Sequence, residues 1–151
     1  MSGEFQYVIR IAGTDLDGTQ PAANALSNIK GVGNRLAEII IERAGVEPGT
    51  RIGFLSDTEI KQIEDVLEQP EKYAILPWLF NHRKDRDTGV NRHLIGTDLI
   101  LQVKNDIDRM KNIRSWRGYR HNYGLKVRGQ RTRTTGRKGK SVGVKKKRRQ
   151  P

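Results

Sequence analysis

Residues 29–45 carry the clearest structural signal in the chain and read Ile29-Lys30-Gly31-Val32-Gly33-Asn34-Arg35-Leu36-Ala37-Glu38-Ile39-Ile40-Ile41-Glu42-Arg43-Ala44-Gly45. Leu36, Ile39 and Ile40 recur at the spacing of one helix face, and Gly45 is typical of a helix C-cap. The Gly31-Val32-Gly33 stretch before this helix predicts a tight turn. The sequence therefore predicts two helices joined through a Gly-x-Gly turn.

That turn has a use beyond reversing the chain. Paired glycines let a backbone approach a phosphate closely, and a helix that starts near Asn34 presents unpaired N–H groups and the positive end of its dipole. Arg35 adds a charge, while Val32 would fill apolar space under the turn. Taken alone, the turn fits a ligand-free helix connection about equally well. The residues of this turn that are assigned to RNA binding are Gly31, Val32, Gly33, Asn34 and Arg35.

The residues before this turn indicate short elements. Apolar and polar side chains alternate over residues 5–11, which predicts a lone extended strand or arm. Asp15-Leu16-Asp17-Gly18 predicts a turn, and its two acids fit turn capping better than metal binding, because the other oxygen ligands of a calcium loop are missing. Pro21 could then open a helix that reaches about Lys30.

Two further helices are predicted after residue 45. Ser56-Asp57-Thr58-Glu59 is a capping box that opens a helix, which must end near Gln69 because of Pro70. Residues 70–96 indicate an irregular turn and a polar hairpin about Asp87-Thr88-Gly89. A long helix follows, capped by Thr97 or Asp98, and its C-terminal end delivers a basic arm.

These elements predict a mainly α protein. Its compact helical domain would span residues 1–112, with the hairpin insert at 70–96, and its basic C-terminal extension would span residues 113–151.

Residues 1–109 hold 13 Lys and Arg against 17 acids, a net charge of −4, whereas residues 110–151 hold 16 Lys and Arg and no acid, a net charge of +16. A solubility tail needs neither aromatics nor the exclusion of acids, so this split favours a polyanionic partner.

The arm is rich in arginine, glycine and threonine, a composition that suits phosphate forks, stacking on unpaired bases and an extended path along grooves. The Lys145-Lys146-Lys147-Arg148-Arg149 run fits a nuclear-import signal or a nonspecific cationic patch from the residues alone. The arm residues predicted to bind RNA are Arg114, Arg117, Arg120, His121, Arg128, Gln130, Arg131, Arg133, Arg137, Lys138 and Lys140.

Several classes of function are disfavoured by composition. Without cysteine there is no disulfide framework, thiolate nucleophile or cysteine-bound zinc. The apolar runs are too short to cross a bilayer, and the first residues lack a signal-peptide pattern, so a cytoplasmic protein is expected. His82, His93 and His121 have no partner at a catalytic spacing. The chain is predicted not to be an enzyme, and no metal or cofactor is predicted.

Three sequence blocks resemble one known family, the universal small-subunit ribosomal proteins numbered thirteenth in the bacterial series and eighteenth in the eukaryotic one. The blocks are Arg10-Ile11-Ala12-Gly13, Ile29-Lys30-Gly31-Val32-Gly33, and the specific pair Arg117-Gly118-Tyr119-Arg120-His121 with Gly124-Leu125-Lys126-Val127-Arg128-Gly129-Gln130-Arg131-Thr132. The ending from Thr134 to Val144 and the insert resemble archaeal and eukaryotic members more than bacterial ones. An archaeal source is therefore expected.

The resemblance implies a helix-two-turn-helix core, a long helix and an extended tail. It also implies a non-enzymatic role in the head of the small ribosomal subunit. The implied partners are the major 3′ domain of the small-subunit rRNA, the neighbouring nineteenth small-subunit protein, the large subunit through inter-subunit bridges, and peptidyl-site tRNA, which the tail of residues 145–149 would approach. Bacterial members lack the insert, so the resemblance assigns it no contact.

Two other functions fit a glycine-turn hairpin that holds nucleic acid. One is a chromosomal or repair protein that binds DNA, and the other is an enzyme that uses the hairpin to hold its substrate. Association with ribosomal subunits, as opposed to DNA, separates these hypotheses from the leading one.

Overall fold

A computed structural model describes residues 5–134 and Gly143. The chain divides into two compact units between Gln102 and Val103, inside its longest helix. The predicted functional boundary at residue 112 lies within the second unit and stays a prediction. The elements are β1 (Val8–Ile11), β2 (Thr14–Asp17), α1 (Ala22–Leu26), α2 (Asn34–Ala44), α3 (Asp57–Glu68), α4 (Gly96–Asn112) and α5 (Trp116–Asn122), with short 3-10 helices at Ile52–Phe54 and Pro77–Leu79. The predicted mainly α fold is confirmed.

The first unit opens with a β-hairpin, which corrects two expectations. β1 pairs antiparallel with β2, so the strand is not alone, and residues 14–17 form a strand instead of a turn. The reversal lies at Ala12-Gly13, whose φ values of 47° and 73° are both positive, as a two-residue hairpin turn of type I′ requires. Leu16 is buried and lies opposite buried Ile9. Burial of this pair fixes the register, because a one-residue slip would turn Leu16 to solvent.

The helices that follow enclose the apolar core. α1 is shorter than predicted and ends at Leu26, yet the turns after it still bury Ile29. α2 ends at Gly45 with a left-handed φ of 73°, as predicted. α3 has the predicted capping box, in which Ser56 and Glu59 exchange side-chain and backbone hydrogen bonds. The buried apolar residues run from Ile9 to Phe80 within the described chain.

α4 begins earlier than predicted. The Ile95 carbonyl already accepts from the N–H groups of Asp98 and Leu99, so neither Thr97 nor Asp98 is the cap. The start is set by a tertiary contact, since the Gly96 N–H donates to the Lys30 carbonyl at 2.8 Å. Such a contact leaves no signal in the local sequence. No helix in the described residues is long and apolar enough to cross a membrane.

Candidate RNA-binding surfaces

The corner between α4 and α5 sets the geometry of the basic segment. Arg114 has a left-handed φ of 50°, and Ser115 then caps α5. The Ser115 hydroxyl donates to the Met110 carbonyl at 2.8 Å and accepts from the Gly118 N–H at 3.1 Å. Gly118 is buried, and a Cβ there would overlap the Met110 carbonyl. Close backbone packing therefore requires glycine at position 118, within the Arg117-Gly118-Tyr119-Arg120-His121 block.

A second turn folds the chain back after α5. The Leu125 N–H donates to the Arg120 carbonyl at 2.9 Å and the Gly124 N–H donates to the His121 carbonyl at 3.1 Å. With Gly124 at a φ of 64°, these bonds form a Schellman motif. The Arg120 Nε also donates to the Lys126 carbonyl at 2.9 Å. The residues after Gly124 are thereby tied to α5.

This turn brings predicted RNA-binding residues from two segments to one groove of about 560 Å³, lined by Met110, Arg117, His121, Val127 and Arg128. Arg117 and His121 lie one turn apart on α5, while Arg128 comes from the returning chain. Arg114 lies instead at a neighbouring depression of about 350 Å³. The first groove therefore joins three of the predicted residues.

An aromatic face on α5 was not among the predicted site residues. Trp116 and Tyr119 stack with their ring centroids 5.6 Å apart and their planes at 8°, and Tyr123 continues the row at 4.7 Å from Tyr119. The three residues are 71%, 51% and 60% exposed. Their spacing over positions 116, 119 and 123 on a helix could have revealed a common face. Large exposed aromatics beside cations are the side chains on which unpaired bases stack.

Most cations of the basic segment, residues 110–134, are not paired with acids of the described chain. Between residues 110 and 134 there are 8 Lys and Arg and no acid. Lys111 pairs with Asp108 of α4 at 3.2 Å, but Arg114, Arg117 and Arg128 have no ion pair among the described residues. The Arg120 guanidinium lies 5.9 Å from the Trp116 ring centroid, which adds a cation–π contact. The second unit therefore offers uncompensated arginines next to stacked rings.

The two glycines of the Gly-x-Gly turn have different surroundings. Gly31 has a φ of 105°, and a Cβ there would lie 2.5 Å from the Leu94 carbonyl oxygen and 3.3 Å from the Ile95 Cα. Gly33 has an extended backbone with φ −101°, and no atom of the described residues lies within 4 Å of a Cβ placed there. Gly31 thus serves packing, whereas Gly33 borders open space. Val32 is 5% exposed and fills the core beneath the turn, as predicted.

The N-terminus of α2 is open to an anion. Gly33 is the N-cap and supplies no side-chain hydrogen bond, and no acid lies in the first turn. The N–H groups of Asn34, Arg35 and Leu36 therefore have no partner within the helix. Arg35 does not add a free charge, because its guanidinium contacts the Glu38 carboxylate at 2.9 Å. Both side chains are more than half exposed, so this pair is weak.

The remaining predicted residues divide into two sets. Gln130, Arg131 and Arg133 are exposed after Gly129. The others lie outside the described residues: Arg137, Lys138, Lys140, Lys145, Lys146, Lys147, Arg148 and Arg149.

The histidines have separate surroundings. His82 lies 3.4 Å from the Asp85 carboxylate in the insert, and His121 lines the groove of the second unit. His93 is mostly buried, and this burial lowers its pKa. The Gly31 backbone raises the pKa and so offsets part of this shift. The Nε2 atom of His93 makes no hydrogen bond within the described residues. No cluster of three metal-binding side chains occurs among the described residues.

The chain is similar to known proteins over nearly its whole length. The profile of a family described as ribosomal protein S13/S18 matches residues 10–138. The small ribosomal subunit protein uS13 of Staphylothermus marinus is 58% identical over 145 residues, 96% of each chain. The uS13 of Aeropyrum pernix is 49% identical over 98% of this chain and 100% of its own. The uS13 of Methanothermobacter thermautotrophicus is 48% identical over 99% of this chain and 100% of its own.

Proposed function

The chain belongs to the ribosomal protein S13/S18 family, and on that premise we propose that it binds rRNA as a structural component of the small ribosomal subunit. The predicted family is confirmed, and the similar proteins come from archaea, as expected. Family membership also favours the ribosome over a chromosomal DNA site. The family consists of ribosomal structural proteins, so this chain has no enzymatic role.

The groove lined by Arg117, His121 and Arg128 carries this proposal. It places three hydrogen-bond donors from two segments around one concave surface, next to the exposed rings of Trp116 and Tyr119. Arginine forks bind phosphate oxygens with two parallel hydrogen bonds. Stacked rings on the same helix accept unpaired bases. We assign the groove to the sugar-phosphate backbone and the aromatic face to a looped-out base of the rRNA.

The Gly-x-Gly turn forms a second contact in this proposal. The free N–H groups at the start of α2 donate to a phosphate that approaches over Gly33, where no side chain blocks access. Gly31 contributes only indirectly, by allowing the turn to pack against residues 94 and 95. The two glycines therefore have separable roles.

The same proposal includes specific binding partners in the ribosome. They are the major 3′ domain of the rRNA, the neighbouring nineteenth protein of the subunit head, and the large subunit through bridges. Residues 113–151 form the RNA-binding extension, and its last cations, residues 145–149, approach peptidyl-site tRNA. A cationic segment without acids binds phosphates regardless of base sequence, which suits a partner that arrives and leaves.

Sedimentation of a native lysate tests the proposal. Nearly all of the protein should move with small subunits and whole ribosomes. A second experiment compares purified small subunits that contain the full chain with subunits in which the chain lacks residues 137–151. The truncated chain should still assemble into subunits, but these should release peptidyl-site tRNA faster in a filter-binding assay. Free protein, or protein that follows nuclease-sensitive DNA, would overturn the ribosomal assignment. Unchanged tRNA release would remove only the role of the tail.

A further inference from the structure

The insert contains a groove that the proposed rRNA contacts do not use. Its volume is about 580 Å³, and it lies between the 3-10 helix at Pro77–Leu79 and the polar hairpin that follows. All of its lining residues belong to the first unit. They are Pro77, Trp78, Asn81, Arg83, Lys84 and Asn91.

The insert is basic within an otherwise acidic body. Residues 77–92 hold four Lys and Arg against two Asp, a net charge of +2, while the rest of residues 1–109 carries a net charge of −6. Of the two acids, Asp85 is directed back to the hairpin, where it accepts from the Thr88 hydroxyl at 2.8 Å and contacts His82 at 3.4 Å. Arg83 and Lys84 have no ion pair among the described residues. Both residues line the groove, so an anion bound there can neutralise their charges.

Hydrogen bonds hold the groove in one shape. His82 and Arg92 exchange backbone hydrogen bonds of 3.2 and 2.8 Å. The Asn81 side chain binds both the carbonyl and the N–H of Leu94, at 2.6 and 2.9 Å. The Asn91 side-chain oxygen accepts from the Lys84 N–H at 3.0 Å, and the Asn91 amide nitrogen has no hydrogen-bond acceptor among the described residues. A preformed site loses less conformational entropy on binding than a loose loop.

Trp78 supplies the surface against which a ligand can lie. It is 61% exposed, whereas Phe80, two residues later, is 5% exposed and belongs to the core. The chain thus buries one large aromatic and leaves the other at the groove. A flat ring, two cations and one free amide are the groups that bind an unpaired nucleotide through stacking, phosphate neutralisation and a hydrogen bond to the base.

We propose that this groove binds an unpaired nucleotide of the small-subunit rRNA. The base stacks on Trp78, Arg83 and Lys84 contact the adjoining phosphates, and the Asn91 amide donates to an acceptor on the base. A carboxylate of an acidic protein segment would use the cations but not the ring face, and for this reason we assign the groove to RNA. The inference rests on the proposed rRNA-binding function and adds a contact site to it.

Cross-linking of assembled subunits tests this contact. Small subunits are isolated from cells in which the full-length chain carries a tag, irradiated with ultraviolet light and digested with nuclease and protease. The expected product is a ribonucleotide adduct on the peptide that contains Trp78. An adduct between this peptide and another protein, or no adduct in subunits that contain the chain, would overturn the inference. Failure of the chain to sediment with subunits would identify the proposed function itself as wrong.

Charge reversal supplies a second readout on purified protein and small-subunit rRNA. R83E/K84E should remove the protection of one short rRNA segment in hydroxyl-radical footprinting and leave the other protections in place. R51E/K61E makes the same change in charge at exposed body positions outside the groove and should leave that segment protected. Equal footprints from both variants would contradict the site.

Trp78 gives the quantitative test. W78A should weaken binding to the rRNA by about 5- to 150-fold, the range measured for loss of one base–aromatic stack, while W78F should retain most of the affinity. Because the side chain is exposed, helicity and the unfolding midpoint should not change. Equal affinity of W78A and W78F would show that the ring does not stack on RNA.

Discussion

The two units of the chain are ordered by different means. Every apolar side chain that is buried in the described residues lies between Ile9 and Phe80 in the first unit. In the described part of the second unit the buried residue is Gly118, and order comes from a serine cap, a Schellman motif and one close backbone contact. Its large rings and arginines face solvent. The first unit thus obtains its stability from its own core, whereas the described part of the second unit leaves its large aromatic side chains exposed.

Removal of the arm should produce the largest effect. If the arm neutralises about 6 to 10 phosphates, binding of the full chain should fall by about 10³- to 10⁵-fold between 50 and 200 mM salt. Truncation after Asn112 should flatten this dependence strongly, because 15 of the 29 Lys and Arg are then lost. Filter binding at several salt concentrations measures the slope. A truncated chain with the full slope would mean that body cations such as Arg35 and Arg43 supply the electrostatic attraction.

The two glycines of the turn should separate packing from binding. Gly31→Val should destabilise the first unit by about 2 to 4 kcal/mol, because it combines a left-handed backbone with overlap against the chain at Leu94. Gly33→Val should change the free energy of unfolding by at most about 1 kcal/mol and weaken rRNA binding about tenfold through lost backbone hydrogen bonds to phosphate. Urea unfolding and filter binding on each variant give the two numbers. Equal binding by Gly33→Val and the parent would limit the turn to a structural role.

The aromatic face should affect binding without affecting the fold. Trp116→Ala and Tyr123→Ala should each lower rRNA affinity by about 1 to 3 kcal/mol if a base stacks there. Both residues are more than half exposed, so the unfolding midpoint of either variant should stay near that of the parent. Leu101→Ala, which removes another exposed apolar side chain on α4 without changing the charge, is a matched control. A drop in the midpoint with unchanged affinity would show that the rings only support α5.

The capping box should give the smallest effect, and one that depends on pH. Ser56→Ala should cost about 1 kcal/mol at neutral pH. Hydrogen bonds from the Ser56 backbone N–H, which the variant keeps, and from the Ser56 hydroxyl, which it loses, hold the pKa of Glu59 below its ordinary value. The part of the stability that the hydroxyl supplies through the Glu59 carboxylate is therefore complete above about pH 4.5, the ordinary pKa of this group, and is lost as the pH falls through the lower folded pKa. Urea unfolding at pH 7 and pH 3 should show a smaller difference between variant and parent at the lower pH. The same difference in the free energy of unfolding at both pH values would show that the Ser56 hydroxyl does not stabilise the charged form of Glu59.

Local signals were predictable from the sequence. Ser56 with Glu59, and Gly45 after an apolar periodicity, specify helix ends through contacts within four residues, and both were confirmed. The hairpin was missed because its turn contains Ala12, which rarely adopts a positive φ, while the acids at positions 15 and 17 imitate a turn.

Contacts between distant residues were not predictable. Nothing near Gly31 indicates that it packs against residues 94 and 95. The grouping of Arg117 with Arg128 depends on the Schellman turn at Gly124, which becomes apparent only once the end of α5 is known. The basic character of the site was evident from charge alone, whereas its shape required the fold.

The contact between Gly31 and residues 94–95 also sets an order in time during synthesis. Once Gln102, the last residue of the first unit, has emerged, this unit is all present, yet the next 12 residues must be added before Arg114 emerges. At about 5 to 20 residues per second this takes about 0.6 to 2.4 s, whereas small helical domains fold within about a millisecond. The first unit can therefore reach its native state before the strongly cationic segment emerges. Stray RNA then meets a finished domain and not an unfolded chain.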